Sequence, residues 1–294
     1  MVVDWEAIEK STSPLEELPE GHYQRIFGVR TPEAIWRALL IEYRWVYHQM
    51  NGQLRETFAP FFLYGELRTL FICLRYLKEL KRDKVREILS ASLLSEEIKM
   101  TLRESSGELS AAQGLEEKFQ CLSGRFRGIT EIMRQEGLSG FEREVAGRYL
   151  SVIVLAGLDP VLRSFFTHIV DARNILALAK LLKLATTPEH PFIPGGTIDA
   201  KRLREILDRR NRQAADKILR AFTGEEMRPA DLVKLEASLY RGISRSLKRE
   251  GRASLGTGPV LDYLWRCSIE AMNLSLLSYG GQLKRDIVAA ELVR

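Results

Sequence analysis

The chain has 294 residues, 45% of them hydrophobic and 28% charged, which is enough apolar material for a large buried core. Its net charge of +5 comes from 44 basic and 39 acidic residues interleaved along the sequence, so the bases read as solvated helix faces rather than as a charged tail. Cys73, Cys121 and Cys267 lie far apart and form no C-x-x-C pair, which excludes a disulfide frame and points to a reducing compartment.

Apolar residues recur every three or four positions almost throughout, and strand-like alternation is rare, so the period predicts helices. Residues 1–30 are polar, acidic and punctuated by proline, without the apolar core of a signal peptide, and are expected to be loosely ordered. Helices are then predicted at 32–57, 60–80, 83–90, 95–104, 108–135, 140–157 and 160–186. The first has Thr31 as N-cap and Pro32 at the first helical position. "ATTPEHPFIPGGTI", from Ala185 to Ile198, is the clearest loop, with three prolines and a Gly-Gly pair. Further helices are predicted at 199–209, 211–222, 228–249 and 259–277, with a short one at 281–292. The longest uncharged apolar run, Tyr149 to Leu158, is about half of the roughly 20 residues a spanning helix needs. No transmembrane segment is therefore expected.

Three segments share one pattern. "PFFLYGELRTLFICLRYLK" carries Pro60, Glu66, Arg68 and Thr69. "PVLRSFFTHIVDARNILALAKLLK" carries Pro160, Asp171, Arg173 and Asn174. "PVLDYLWRCSIEAMNLSLLSYGG" carries Pro259, Glu270, Met272 and Asn273. Each is a proline, an apolar helical run, then acid-x-[Arg or Met]-[Asn or Thr], then more apolar helix. The prolines are 100 and 99 residues apart, and the proline-to-acid distance is 6 in the first copy and 11 in the other two. A second marker precedes each proline: Ile41-Glu42, Phe141-Glu142 and Leu235-Glu236, whose glutamates are 100 and 94 residues apart.

A period near 100 exceeds the roughly 20–50 residues of a solenoid repeat. It predicts an all-α fold of three similar helical domains, at 31–107 (degenerate), 108–209 and 210–294 after the polar segment 1–30. Three such units in one chain can close into a funnel-like arrangement of approximate threefold symmetry. Each proline suits the first turn of a helix, where its missing N–H costs nothing. An acid at i and an amide at i+3 share one side of a helix. They either satisfy backbone near the hairpin end, since a buried unpaired carboxylate is costly, or line matching polar sites that grip a partner. Asp171, Asn174, Glu270 and Asn273 are expected to hold matching hairpins, with Glu66, Arg68 and Arg173 as further structural or interface candidates. His168, three residues before Asp171, is a candidate partner for that acid.

No catalytic constellation is legible. "PGGTID" lacks P-loop spacing, "LGTGP" lacks a third glycine and a preceding strand, and no G-x-S-x-G elbow occurs. His22, His48, His168 and His190 have neither i,i+4 pairing nor a cysteine at ligand spacing, so no metal and no cofactor is expected. The basic patches "KRLREILDRRNR" and "RGISRSLKREGR" lack the aromatic residues that stack on bases, so no nucleic-acid partner is expected. Trp5, Trp36, Trp45 and Trp265 read as core or interface filler.

The arrangement resembles the C-type subunit of the V-type and archaeal-type rotary ATPases, whose eukaryotic counterpart is the d-type subunit. "FIPGG", Phe192 to Gly196, follows "DARNILALAKLLK" by a short loop, like the family's acid-x-x-Asn helix and Ile-Pro-Gly-Gly turn. "VLDYLWRCSIEAMNLSLLSYG" resembles the family's closing helix, with Tyr263-Leu264 followed by Glu270-x-x-Asn273-Leu274. The resemblance is best from Phe141 to Gly281. The chain departs from it at Met272, where a basic residue is at home, at Ser275, where many relatives have arginine, and at Thr69 in place of asparagine.

The resemblance implies an all-α, three-lobed, non-catalytic rotor part, peripheral on the cytoplasmic side of the membrane. It implies coupling of the D and F subunits of the central stalk to the membrane proteolipid ring for proton or sodium transport. A generic helical interaction scaffold and a basic nucleic-acid-binding protein are the rival readings.

Overall fold

The computed structural model describes residues 31–184, 191–224, 232–252, 256–280 and Val293. Among these residues there are eleven α-helices and no strand: α1 Pro32–Gln49, α2 Gly52–Lys78, α3 Arg82–Leu89, α4 Glu96–Glu104, α5 Glu108–Leu122, α6 Ile129–Val154, α7 Pro160–Leu181, α8 Ala200–Asp208, α9 Arg212–Thr223, α10 Leu232–Glu250 and α11 Gly258–Gly280. The expected helix at 281–292 lies outside the described residues. Thr31 Oγ accepts the Ala34 N–H, as its N-cap position predicts.

Two helix ends differ from expectation. The first break falls at Asn51, whose side chain accepts the Leu54 N–H, and not before Pro60. Pro60 sits inside α2, so of the three repeat prolines Pro160 and Pro259 alone occupy a first turn. A proline removes one helical N–H and costs about 3 kcal/mol in a helix interior. Burial of Phe58, Phe61 and Phe62 around it outweighs that cost. The predicted helix 108–135 is also two: α5 ends at Leu122, a single 3₁₀ turn follows at Gly124–Phe126, and α6 begins at Ile129. Periodicity misses this break because Phe119, Phe126, Ile129 and Met133 are all buried across it. Glu116 holds the start of α6 by accepting the N–H groups of Gly128 and Thr130. Burial opposes ionisation of Glu116, but these bonds outweigh it and hold its carboxyl below the usual range. The gap expected at 136–139 is a kink within α6 at Gly137, where φ is +70°.

The chain divides into two compact units, one of residues 40–159 and one of residues 160–294 with 31–39. In the first, α2 is central and packs on α3, α5 and α6. Its core joins Leu67, Leu70, Leu74 and Leu77 of α2 to Leu89, Leu102, Leu115 and Phe141. The boundary expected between residues 107 and 108 falls inside this unit, between α4 and α5, which pack on one another. α2 alone is long and apolar enough to cross a membrane by length and composition among the described residues, with half of its most apolar window buried. In the second unit, α10 lies on α7 and α11, while α8 and α9 cover α7. Trp265 is a core residue here: its ring meets Phe165 at 5.4 Å and its Nε1 donates to Ser244 Oγ at 2.9 Å.

α2 and α8 end alike. The Lys81 N–H reaches back to the Tyr76 carbonyl at 2.8 Å, and that of Asn211 to Ile206 at 3.0 Å. The residues between, Leu80 at φ +59° and Arg210 at φ +48°, stand where glycine is usual. Leu80 is 76% exposed and contributes no packing. Leu80→Gly is expected to raise stability by about 0.5–1 kcal/mol, read as a higher melting temperature.

Candidate functional site

Of the polar residues that repeat in sequence, Glu66, Thr69, Asp171, Asn174 and Asn273 are buried. Glu66 of α2, 1% exposed, accepts from the Ser92 hydroxyl at 2.9 Å and from the Leu93 N–H. Asp171 of α7, also 1% exposed, accepts from the Thr197 hydroxyl at 2.7 Å and the Ile198 N–H at 3.4 Å. In both cases the hydroxyl lies 26 residues after the acid and the N–H 27. Both pairs come just before a short helix with its own cap, Ser95 for α4 and Asp199 for α8. The acid thus pins the start of the next short helix to the long helix that carries it.

The amides act beside the acids. Asn174 donates from Nδ2 to the Ile193 carbonyl at 2.7 Å and accepts the Ile193 N–H at 2.8 Å, closing a two-bond ring 19 residues on. Asn273 of α11 does the same with Val293, at 2.8 and 3.0 Å, 20 residues on. A carboxamide carries one acceptor and one donor at the spacing of a peptide unit, so it replaces a strand partner for one residue. A threonine hydroxyl cannot. At the equivalent place in the first copy, Thr69 hydrogen-bonds Glu66 instead.

Glycine completes the second clamp. In Pro194-Gly195-Gly196, Gly195 has φ +98°, and a Cβ on Gly196 would strike the Asp171 carboxylate. The Pro-Gly-Gly turn is therefore shaped by the acid, and His168 makes no hydrogen bond or ion pair with it.

The other candidates diverge. Arg68 and Arg173, two positions past their acids, are exposed. Glu42 is buried, Glu142 forms a bidentate pair with Arg75 at 2.8–3.0 Å, and Glu236 accepts from Tyr240 at 3.3 Å. The three glutamates that precede the prolines thus build no common site.

Glu270 is half-buried on α11 and makes no hydrogen bond or ion pair with the described residues. Burial pushes its carboxyl up to about 8, and burial also raises Glu66 above the carboxylate range against its hydrogen bonds. The folded chain therefore holds a proton on Glu270 that the unfolded chain releases near pH 4.5. Its contribution to stability is full below that pH and falls as pH rises to about 8. Glu270→Gln is expected to flatten this slope and to be the more stable protein at pH 8 by about 1–2 kcal/mol, after allowing for partial exposure. Melting curves between pH 5 and 8 read it directly.

The Cys73 thiol is buried, and burial first, with Glu66 nearby, raises it to about 12. No cluster of three metal-ligating side chains occurs among the described residues. A cavity of about 560 Å³ beside Glu66 is walled mainly by Phe62, Leu63, Leu94, Ile98, Phe119 and Leu122. Its wall is mostly apolar, with Ser95, Glu97 and Lys118 also on it, and the oxygens of Glu66 are already engaged.

The model of the ATP synthase (C/AC39) subunit family matches residues 29–286. The chain belongs to that family. It is a component of a V/A-type rotary ATPase, related to the C-type and d-type subunits. No curated protein matches it as a relative. In this C/AC39 protein the partners of the acids and amides escape sequence reading, because they lie 19 to 27 residues away. The one signal is a Ser or Thr followed by an aliphatic residue just before a capped amphipathic helix, as in Ser92-Leu93 and Thr197-Ile198.

Proposed function

We propose that this C/AC39 protein is a non-catalytic part of the central rotor, joining the D and F subunits of the stalk to the proteolipid ring on the cytoplasmic face of the membrane. The chain then acts as a stiff spacer in proton or sodium transport, with chemistry and ion passage in other subunits. The observation that carries the reading is the recurrence of one clamp, acid to hydroxyl and N–H at 26 and 27 residues, in a chain of this family. A rotor element transmits torque only if its helices do not slide. Buried carboxylate and carboxamide bonds fix register in a way apolar packing alone does not. The same recurrence, in two of the three hairpins, supports related helical repeats, expected at residues 31–107, 108–209 and 210–294.

Co-purification tests the reading. The purified protein is expected to retain a D–F pair and to bind detergent-solubilised proteolipid ring. Binding to neither overturns the rotor assignment, and the generic helical scaffold then takes its place.

A further inference from the structure

We infer that the basic corner where α7 ends and α8 turns into α9 is a docking surface for an anionic phospholipid bilayer. The inference goes beyond the stalk-and-ring reading, which assigns only protein partners, and uses no part of it.

The charge of the chain is concentrated here. Residues 180–220 hold ten bases and five acids, while the other 253 residues hold 34 of each, so this segment accounts for the whole net charge of +5. The fold gathers part of it at one end of the unit of residues 160–294. Arg210 Nη1 donates to the Leu181 carbonyl at 2.9 Å, which ties the α8–α9 turn to the last turn of α7. Lys180, Lys183, Arg209, Arg210 and Arg212 thereby come together with Leu184, and all six are exposed. Asp208, beside Arg209, is held by Arg204 at 2.9 Å, and Glu205 and Asp216 each lie a turn away from the corner.

Helix stability explains only some of these bases. Lys180, Lys183 and Arg210 stand at the C-terminal end of α7 and Arg209 at that of α8, where cations are favourable. Arg212 is the first residue of α9, at the positive end of that helix, where an acid would be stabilising. The equivalent corner of the first unit, between α4 and α5, reads Arg103-Glu104-Ser105-Ser106-Gly107-Glu108, with Glu108 at the head of α5. The same clamp precedes both corners, so the fold does not require the bases.

The partner follows from the layout. The bases come from three helix ends, and packed helix axes are about 8–10 Å apart, so they match an array of phosphates rather than a single one. Leu184 is 53% exposed among them. In water that side chain is unfavourable, whereas at a bilayer surface it enters the boundary between headgroups and acyl chains. A nucleic acid has no such place for it, and neither 180–184 nor 209–213 holds an aromatic residue to stack on bases.

Sedimentation of the full chain with vesicles tests the inference. Binding is expected to vesicles of about 30% phosphatidylglycerol in phosphatidylcholine and not to phosphatidylcholine alone, and it should weaken as salt rises. Arg209→Gln with Arg212→Gln is expected to weaken it at least about tenfold, since each base near an anionic surface contributes about fivefold. Arg210 is left in place because it caps α7. Removing two exposed bases of α10 instead, with Arg245→Gln and Lys248→Gln, is expected to weaken it less than about threefold, as screened distant charges. Leu184→Ser is expected to weaken it about threefold. Melting curves matching the wild type confirm that each variant folds. No preference for the anionic vesicles overturns the inference, as does an equal loss in the two double variants, which would make binding a matter of net charge. Inorganic phosphate that competes better than chloride at equal ionic strength assigns the corner to a free anion, and polyglutamate that binds as tightly as the vesicles assigns it to an acidic protein; either result overturns the bilayer.

Discussion

Asn273→Ala is expected to lower the stability of its unit by about 3 kcal/mol, and Asn174→Ala by about 2 kcal/mol. Each substitution deletes two hydrogen bonds and leaves one N–H and one carbonyl without partners. The two sites differ in access to water. Val293 is 5% exposed, so its backbone groups stay dry when the amide is gone, whereas Ile193 is partly open and regains some hydration. The isosteric change Asn273→Asp isolates hydrogen bonding from packing. Its second oxygen would face the Val293 carbonyl in place of an N–H donor, so the aspartate variant is expected to be at least as unstable as the alanine one at pH 7. It should recover part of the loss on acidification, as the protonated acid regains a donor. Urea unfolding at pH 5 and pH 7 measures both. An alanine variant within 0.5 kcal/mol of the wild type, taken as roughly the scatter for a surface change, would remove the clamp as a source of stability.

Gly196→Ala is the second large effect, at about 2–3 kcal/mol. The new methyl would occupy the place of the Asp171 carboxylate oxygen, and α7 holds that carboxylate 1% exposed. Either the acid or the turn must move, and the bonds to Thr197 and Ile198 are lost with it. Gly195→Ala is expected to cost less, about 1–2 kcal/mol, because its φ of +98° strains the backbone without obstructing the acid. Hydrogen exchange of the Ile198 amide distinguishes the two. It should quicken strongly in Gly196→Ala and only slightly in Gly195→Ala.

The fold class is legible in the sequence because helical periodicity is a local property, carried by residues three and four apart. Thr31 and Pro32 mark the start of α1, and α3, α4, α8 and α9 lie within a residue or so of their predicted ranges. The differences arise where two local signals compete. Pro60 is a strong breaker, yet Phe58, Phe61 and Phe62 pack so fully that α2 runs through it. Between α5 and α6 the apolar spacing persists although Glu116, twelve residues before Gly128, caps a new helix. A breaker or a period is a weak prior, and tertiary packing or a distant cap overrides it.

By itself the sequence determined the all-helical build, the absence of a legible catalytic motif and the spacing of three acid-bearing hairpins, since each depends on residue type and separation along the chain. The tertiary structure alone decided what those acids and amides do. Glu66 and Asp171 hold the next helix start, Asn174 and Asn273 bind a single peptide unit, and Glu270 stands without a donor among the described residues. A hydrogen bond is set by positions in space to within a few tenths of an ångström, and loops of about twenty residues bring its two halves together without any local pattern that announces the pair.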